Sequence, residues 1–234
     1  MAELTSRLAI SADVQPLTAL MDAAIAELQR DFLDDAQIES SRAIMGIDTQ
    51  LIDDGTYFVV ESEGDIAGCG GWSRRATLYG GNQTPGRDSN LLDPRVDPAR
   101  VRAMYTNPAY ARRGVGRLIL SPCEAAAAAE GFIRLELMST LSGEPLYTAY
   151  GFRPLERLTD ATGGASVPLV RMEKLVDPSV LGSLRTCLEP IARSPLRGPG
   201  LSPAVSGVSA SVGWRDRAWL QASALSWLGT RVGV

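Results

Sequence analysis

The residues best suited to chemistry lie in one short segment, NPAYARRGVGR, at residues 107–117. Its two glycines, Gly114 and Gly116, allow the backbone to turn tightly with its N–H groups pointing outward. Apolar residues at helical spacing follow, so these amides are expected at a helix N-terminus, where anions are stabilised. The neighbouring arginines add positive charge: Arg112, Arg113 and Arg117. The segment is typical of a pyrophosphate-binding loop, with a plain tight turn as the alternative.

Two common phosphate-binding classes do not fit this segment. A dinucleotide-binding loop needs a third glycine or alanine at position 119, where this chain has Ile119. That class also needs an acidic residue at the end of the next strand, whereas Glu136 falls inside a predicted strand. An ATPase-type loop needs Gly-Lys-Ser/Thr, and the only lysine of the chain, Lys174, follows Glu173.

The composition excludes several classes of enzyme. The chain has 234 residues and no histidine, which removes Ser-His-Asp and Cys-His triads and His-Glu-x-x-His zinc sites. Its three cysteines are far apart in sequence, so we expect neither a zinc ribbon nor a disulfide framework, and we predict no metal. A net charge of −4 argues against a nucleic-acid-binding protein. Without a signal-peptide pattern or a long apolar run, a cytoplasmic protein that does not bind membranes is expected.

The elements that must position these residues follow from the periodicity of the apolar positions. Strands are predicted over residues 7–11, 56–61, 66–72, 101–106, 132–138 and 167–175. Helices are predicted over residues 14–28, 35–45, 115–130 and 144–150. Residues 75–100 are rich in Gly, Asn, Asp and Pro, which indicates a long loop. We expect this loop to lie beside the site described below, on the side where the acceptor substrate would bind. This order predicts an α/β (α+β) domain with a mixed sheet.

The composition changes near residue 176. Residues 177–234 are rich in Ser, Gly, Pro and Leu and carry a net positive charge, whereas the first 176 residues are acidic. We therefore predict one domain over residues 1–176 and a C-terminal extension of unknown role over residues 177–234. For this extension a disordered tail, an interaction segment and translation in an unintended reading frame all stay open.

Three stretches together resemble a known family. They are VRAMYTNPAYARRGVGRLIL at residues 101–120, the strand at residues 133–138, and LYTAYGF at residues 146–152, which matches a Tyr-x-x-x-Gly-Phe element. With the order of the elements, they resemble the GNAT superfamily, enzymes that move an acetyl group from acetyl-CoA to an amine. The resemblance implies the GNAT acyl-CoA N-acyltransferase fold, with a mixed central sheet of about six to seven strands flanked by helices, over residues 1–176. One departure is Ala111, where the family usually has Gln or Arg.

The resemblance also implies the positions of a site for acetyl-CoA as co-substrate. The loop and helix start would bind the pyrophosphate: Arg112, Arg113, Gly114, Val115, Gly116 and Arg117. The main chain of Met104, Tyr105 and Thr106 would pair with the pantetheine arm and polarise the acetyl carbonyl. Tyr147 would protonate the departing thiolate as a general acid. Because the chain lacks histidine, the attacking amine must lose its proton to a carboxylate or an ordered water, or arrive already neutral. The carboxylate candidates for the base are Glu136 and Glu61.

The expected function is therefore that of an acetyl-CoA-dependent N-acetyltransferase, an acyltransferase that requires no metal. The acceptor is expected to be a primary amine of a small molecule that attacks acetyl-CoA directly in a ternary complex. Two alternatives stay open, a catalytically inactive GNAT-fold protein that binds or senses acyl-CoA, and an acetyltransferase of protein N-termini or lysines. Neither nucleic acid nor membrane is an expected partner, and a homodimer stays open.

Overall fold

A single mixed sheet of seven strands forms the centre of the computed structural model, which describes residues 3–180. The strands are β1 (Thr5–Leu8), β2 (Tyr57–Ser62), β3 (Asp65–Ser73), β4 (Ala99–Thr106), β5 (Arg134–Thr140), β6 (Arg153–Asp160) and β7 (Val167–Leu175). Their order in the sheet is β1-β2-β3-β4-β5-β7-β6. Neighbouring strands are antiparallel except β4 and β5, which are parallel. The predicted fold class and the mixed sheet of six to seven strands are confirmed.

Helices cover both faces of this sheet. Within the described part of the chain they are α1 (Val14–Leu28), α2 (Asp35–Ser41), α3 (Thr49–Asp53), α4 (Val115–Ala129) and α5 (Glu144–Tyr150). A Cβ atom on Gly68 or Gly70 of β3 would meet side chains of α4. Cys69 between them points to the other face, where it packs in a cluster with Leu17 and Leu20 of α1. We therefore refer to the α4 face and the α1 face of the sheet.

Several predicted boundaries were confirmed and others were wrong. The predicted helix over residues 144–150 and the strand over 167–175 coincide with α5 and β7. The helix predicted over residues 35–45 ends at Ser41, and the strand predicted over 7–11 ends at Leu8 because residues 11–13 form a 3-10 helix. The sequence analysis missed α3, a helix of five residues, and β6. Most of β6 is exposed at the edge of the sheet, so its residues lack an apolar alternation.

Residues 1–176 form one compact unit that ends just after β7. The predicted extension over residues 177–234 lies outside the described residues, apart from its first four. No helix in residues 3–180 is both long and apolar enough to cross a membrane.

The feature that shapes the centre of the sheet is the short pairing of β4 with β5. Their register contains only the pairs Ala99 with Leu135 and Arg100 with Glu136. Beyond Arg100, none of the described residues of β4 pairs with β5, so the two strands separate toward their C-terminal ends. The separation leaves a gap in the middle of the sheet, which is open to both faces.

Glu136 holds the paired end of these two strands together. Its side chain is 2% exposed, and its two carboxylate oxygens accept hydrogen bonds from Arg100 of β4 and Arg171 of β7. A buried carboxylate with two guanidinium partners is stable, whereas the same site without the negative charge leaves the cations poorly paired. The ion pairs thus join β4, β5 and β7 at one end, while β4 and β5 separate at the other.

We expect Glu136→Gln to lower the free energy of unfolding by about 3 kcal/mol, because it removes the buried carboxylate that pairs with Arg100 and Arg171. Chemical denaturation measures this change. The matched control is Glu156→Gln, since Glu156 also faces Arg171 but at 4.0 Å and with a side chain that is 59% exposed. This control is expected to change stability by less than about 0.5 kcal/mol. Equal effects of the two substitutions would contradict the role given to Glu136.

Candidate active site

A cavity occupies the gap between the separated ends of β4 and β5. It has about 620 Å³ of empty space, part of which is open to solvent. Tyr147 of α5 lines it from the α4 face, while residues 44–46 and 78–80 line it from the α1 face. The remaining wall comes from β4, β5 and β7: Val101, Arg102, Ala103, Met104, Tyr105, Met138, Thr140 and Leu169. The cavity therefore connects the two faces of the sheet.

A bulge in β4 turns one peptide group out of the plane of the sheet. Ala103 and Met104 lie opposite the single residue Gly70 of β3, and Ala103 has a φ of +50°. The hydroxyl of Tyr57 donates a hydrogen bond of 2.7 Å to the carbonyl of Ala103 from the α1 face. Because the peptide is trans, the N–H of Met104 points the opposite way, toward the α4 face. Tyr57 thus orients a main-chain donor at the cavity wall.

The three β4 residues named from the sequence differ in what they present to the gap. The amide of Asn107 donates to the carbonyl of Ala67 in β3 at 2.9 Å. By strand alternation, the main chain of Tyr105 also faces β3, while that of Thr106 faces the gap. The main chains of Met104 and Thr106 thus face the gap, where the sequence analysis expects a ligand. The main chain of Tyr105 pairs with β3, and this residue contributes its side chain to the cavity.

The glycine segment forms the start of α4, as the sequence predicted. Arg112 and Gly114 have φ angles of +64° and +87°, and a Cβ atom on Gly114 would meet nothing within 4 Å. The first-turn amides of this helix of 15 residues lack helical partners and face this open space. Backbone amides at the start of a helix suit an anionic ligand such as a pyrophosphate.

The six residues named for this loop have two different roles. The three arginines are exposed, and two of them lie over tyrosine rings, Arg113 over Tyr110 and Arg117 over Tyr150. Val115 and Gly116 are buried, so the side of α4 that they form is used for packing. A Cβ atom on Gly116 would collide with Leu146 of α5, so this glycine allows α4 and α5 to pack closely. Val115 and Gly116 can therefore bind a phosphate through their main-chain amides but not through side chains.

Tyr147 lies at the α4 side of the cavity, where the sequence placed a general acid. Its ring packs edge to face against Phe152, with 5.9 Å between the centroids. Burial, reinforced by Tyr105 and Cys123, raises the pKa of the Tyr147 phenol well above its usual value. The hydroxyl therefore stays protonated at neutral pH, with its proton at the cavity.

The two carboxylates named as bases lie away from the cavity. Glu136 is held by Arg100 and Arg171 at the paired end of β4 and β5. Glu61 forms an ion pair of 2.6 Å with Arg7 of β1. Neither lines the cavity, so these positions favour structural roles for both.

Sequence reasoning missed the residues that form the cavity wall on the α1 face. The Tyr105 hydroxyl accepts a hydrogen bond of 2.8 Å from the amide of Gly46, and the Tyr79 hydroxyl donates one of 2.8 Å to Asp160. Burial and the neighbouring Asp160 raise the pKa of Tyr79 to about 12. The sequence analysis placed residues 44 and 45 in a helix that ends at Ser41 in the structure. Residues 78–80 lie in the irregular long loop, where a lone tyrosine was the available signal.

Asp48 connects these two segments beneath the cavity. It is fully buried and accepts hydrogen bonds from Arg102 of β4 at 2.5 Å and from Arg87 of the long loop at 2.6 Å. Arg102 also donates to the carbonyl of Gly80 at 2.6 Å. The buried ion pairs thus fix the long loop against β4, with residues 78–80 at the cavity.

Comparison with known proteins finds one matching family model and several similar folds. Residues 53–154 match the family model described as an acetyltransferase (GNAT) domain. The fold is similar to that of a GCN5-related N-acetyltransferase from Rhodopseudomonas palustris, with a TM-score of 0.56, 18% identity, and 75% of this chain and 97% of that chain covered. It is also similar to the PaiA N-acetyltransferase from Thermoplasma acidophilum in complex with coenzyme A, with a TM-score of 0.51, 14% identity, and 74% and 99% covered. A search of curated proteins found no match. The resemblance to the GNAT superfamily is confirmed.

Proposed function

We propose, on the premise that residues 53–154 match a GNAT acetyltransferase domain, that this protein is an acetyl-CoA-dependent N-acetyltransferase. The acceptor is a primary amine of a small molecule, which attacks acetyl-CoA directly in a ternary complex. One observation carries the proposal, the cavity in the gap between β4 and β5 that adjoins the turned peptide of β4 and the phenol of Tyr147. Residues 1–176 are the catalytic domain in this proposal, residues 177–234 an extension, and the cytoplasm the location.

The described residues fit acetyl-CoA as a co-substrate. The first-turn amides of α4 and the open space over Gly114 suit its pyrophosphate, and the exposed arginines beside them supply positive charge. The main chain of Thr106 faces the gap and suits an extended arm that carries amide groups, as pantetheine does. The acetyl group would then reach the cavity from the α4 face.

The chemistry needs two groups that the cavity provides. As the amine attacks, negative charge develops on the thioester oxygen, and the main-chain N–H of Met104 is oriented to stabilise it. The new C–N bond forms as the C–S bond breaks, and the Tyr147 hydroxyl donates its proton to the departing sulfur. A main chain and a phenol thus perform steps for which other enzymes use histidine.

The wall on the α1 face supports a small acceptor rather than a protein. Residues 44–46 and 78–80 stand over the cavity and are held by hydrogen bonds to other elements. Gln83 donates to the carbonyl of Met45 at 2.6 Å, and Arg102 donates to the carbonyl of Gly80 at 2.6 Å. A wall that is fixed over the cavity in this way suits a small ligand, whereas an extended polypeptide needs an open groove.

Acetyl-CoA is expected to raise the melting temperature, because it binds only the folded state. At about 100 times its Kd, the gain in the free energy of unfolding is about 2.7 kcal/mol. Thermal denaturation and calorimetry measure the binding, and a thiol assay with a panel of amines measures the transfer. The control is S-acetyl-N-acetylcysteamine, which carries the same thioester without the pyrophosphate and should give a smaller shift. No shift and no heat with saturating acetyl-CoA or CoA would contradict the proposal.

Tyr147→Phe is expected to lower kcat about 100-fold, because the departing thiolate loses its proton donor. The Kd of acetyl-CoA should stay the same, since phenylalanine preserves the packing against Phe152. The matched control is Tyr110→Phe, because Tyr110 lies near the α4 N-terminus but does not line the cavity. An unchanged kcat in Tyr147→Phe would exclude the role as general acid.

Tyr57→Phe is expected to lower kcat about 10-fold, a loss of about 1.4 kcal/mol, with little change in the KM of acetyl-CoA. The substitution removes the hydrogen bond that orients the peptide between Ala103 and Met104. The matched control is Tyr105→Phe, which removes the bond to Gly46 and should change the KM of the amine instead. If Tyr57→Phe lowered stability alone, kcat per folded molecule would be unchanged and the positioning role would be wrong.

A further inference from the structure

Apolar side chains predominate among the residues that line the cavity on the α1 face, beside main-chain groups and tyrosine hydroxyls. Its side chains come from residues 44 and 45, from residue 78 and from the sheet: Ile44, Met45, Leu78, Met138 and Leu169. Within the part of the chain that the structure describes, no residue lining the cavity carries a carboxylate. An acceptor bound here therefore meets aliphatic and aromatic side chains, and its polar contacts are neutral hydroxyls and main-chain groups rather than carboxylates.

Among residues 3–180, the charged side chain of the cavity wall is Arg102, and its charge is already compensated. Arg102 is 4% exposed, and its Nη atoms donate to Asp48 and to the carbonyl of Gly80. Its Nε–H has no acceptor among the described residues but is buried from solvent. A carboxylate of a substrate could reach this guanidinium only by displacing the contacts that hold the long loop.

From these walls we propose that the acceptor is an apolar primary monoamine, bound in its neutral form without a protein side chain as base. This inference rests on the proposed function and names the substrate class of the same cavity. A second charged group on the acceptor would be buried without a partner, which is strongly unfavourable. Polyamines, amino acids and other zwitterions are therefore poor acceptors.

Desolvation takes the place of the missing base. An apolar cavity disfavours the ammonium form of an amine and so lowers its pKa on binding. The titratable groups at the cavity are Tyr79, Tyr105, Tyr147 and Arg102, with Asp48 and Asp160 behind the wall. Burial raises the pKa of each of these three tyrosines, and two hydrogen bonds from Thr162 and one from Tyr79 help to lower that of Asp160. The acceptor itself is then the group that titrates between about pH 6 and 10.

The reaction balances without an added base. The neutral amine has two N–H protons and forms the C–N bond to the acetyl carbon as the C–S bond breaks. Tyr147 gives its proton to the sulfur and regains one from solvent, while the nitrogen loses one proton to solvent, so the products are an amide and coenzyme A with a neutral thiol. A net proton is released to solvent only when the amine arrives as an ammonium ion.

The first test compares three acceptors with related skeletons on the full chain. 3-Methylbutylamine is an apolar monoamine, leucine adds a carboxylate to it, and 1,5-diaminopentane carries a second amine. We expect kcat/KM for 3-methylbutylamine to exceed the other two at least about 100-fold. A higher kcat/KM for leucine or the diamine would overturn the inference.

The second test separates a protein base from a desolvated amine. The pH profile of kcat/KM is measured for 3-methylbutylamine and for an analogue whose amine pKa is lowered by fluorine on the neighbouring carbon. The break in the profile should move with the pKa of the free amine. A break at the same pH for both acceptors would reveal a base on the protein and overturn the inference.

The third test introduces the carboxylate that the cavity lacks. Met45→Glu should raise the ratio of kcat/KM for the diamine to that for the monoamine by about 10-fold or more, since a new ion pair becomes possible. The matched control, Met45→Gln, has nearly the same size without the charge and should leave the ratio unchanged. An equal ratio in the two variants would overturn the inference.

A measurement of acetyl-CoA binding distinguishes failure of the inference on the acceptor from failure of the proposed function. If acetyl-CoA binds and the protein acetylates only diamines, amino acids or peptides, or no amine at all, the inference on the acceptor is wrong while co-substrate binding stands. If acetyl-CoA and CoA do not bind, the proposed function itself fails. Calorimetry with acetyl-CoA on the same preparation gives this answer before any acceptor is added.

Discussion

The pairing of β4 with β5 over only two residue pairs is the constraint on which the rest of the site depends. A full ladder would close the sheet and leave no cavity. Glu136 joins both strands to β7 at the paired end, while the bulge at Ala103 bends β4 at the other end. Tyr57 then holds the carbonyl of the bulge residue. The gap and the oriented N–H of Met104 therefore both result from the way β4 separates from β5.

A buried carboxylate organises the side of the cavity where the acceptor would enter. Asp48 pairs with Arg102 on β4 and with Arg87 on the long loop, and it also accepts from an amide of the first turn of α3. Removing charges from water is unfavourable, and such pairs are retained where they specify one arrangement. Here they fix a loop without regular structure against the sheet. The charges of Asp48, Arg87 and Arg102 pair with one another to hold the wall, so the lining offers a substrate no carboxylate among the described residues.

The absence of histidine is compatible with this chemistry because the site relies on other groups. Main-chain amides at the start of α4 and on β4 suit a pyrophosphate and an oxyanion, and neither task needs a titrating side chain. Burial keeps Tyr147 protonated. In the proposed reaction, loss of the ammonium proton would be favoured by removal of the amine from water.

The sequence by itself determined the features that depend on local pattern. The apolar periodicity predicted α5 and β7 to the residue, and the glycines of residues 107–117 predicted the start of α4. It did not predict β6, whose exposed edge position removes the alternation, or the wall at residues 44–46. Only the tertiary structure decided that Glu136 is an ion-pair partner. Its arginines lie 36 and 35 residues away in the chain, and such long-range contacts leave no local pattern.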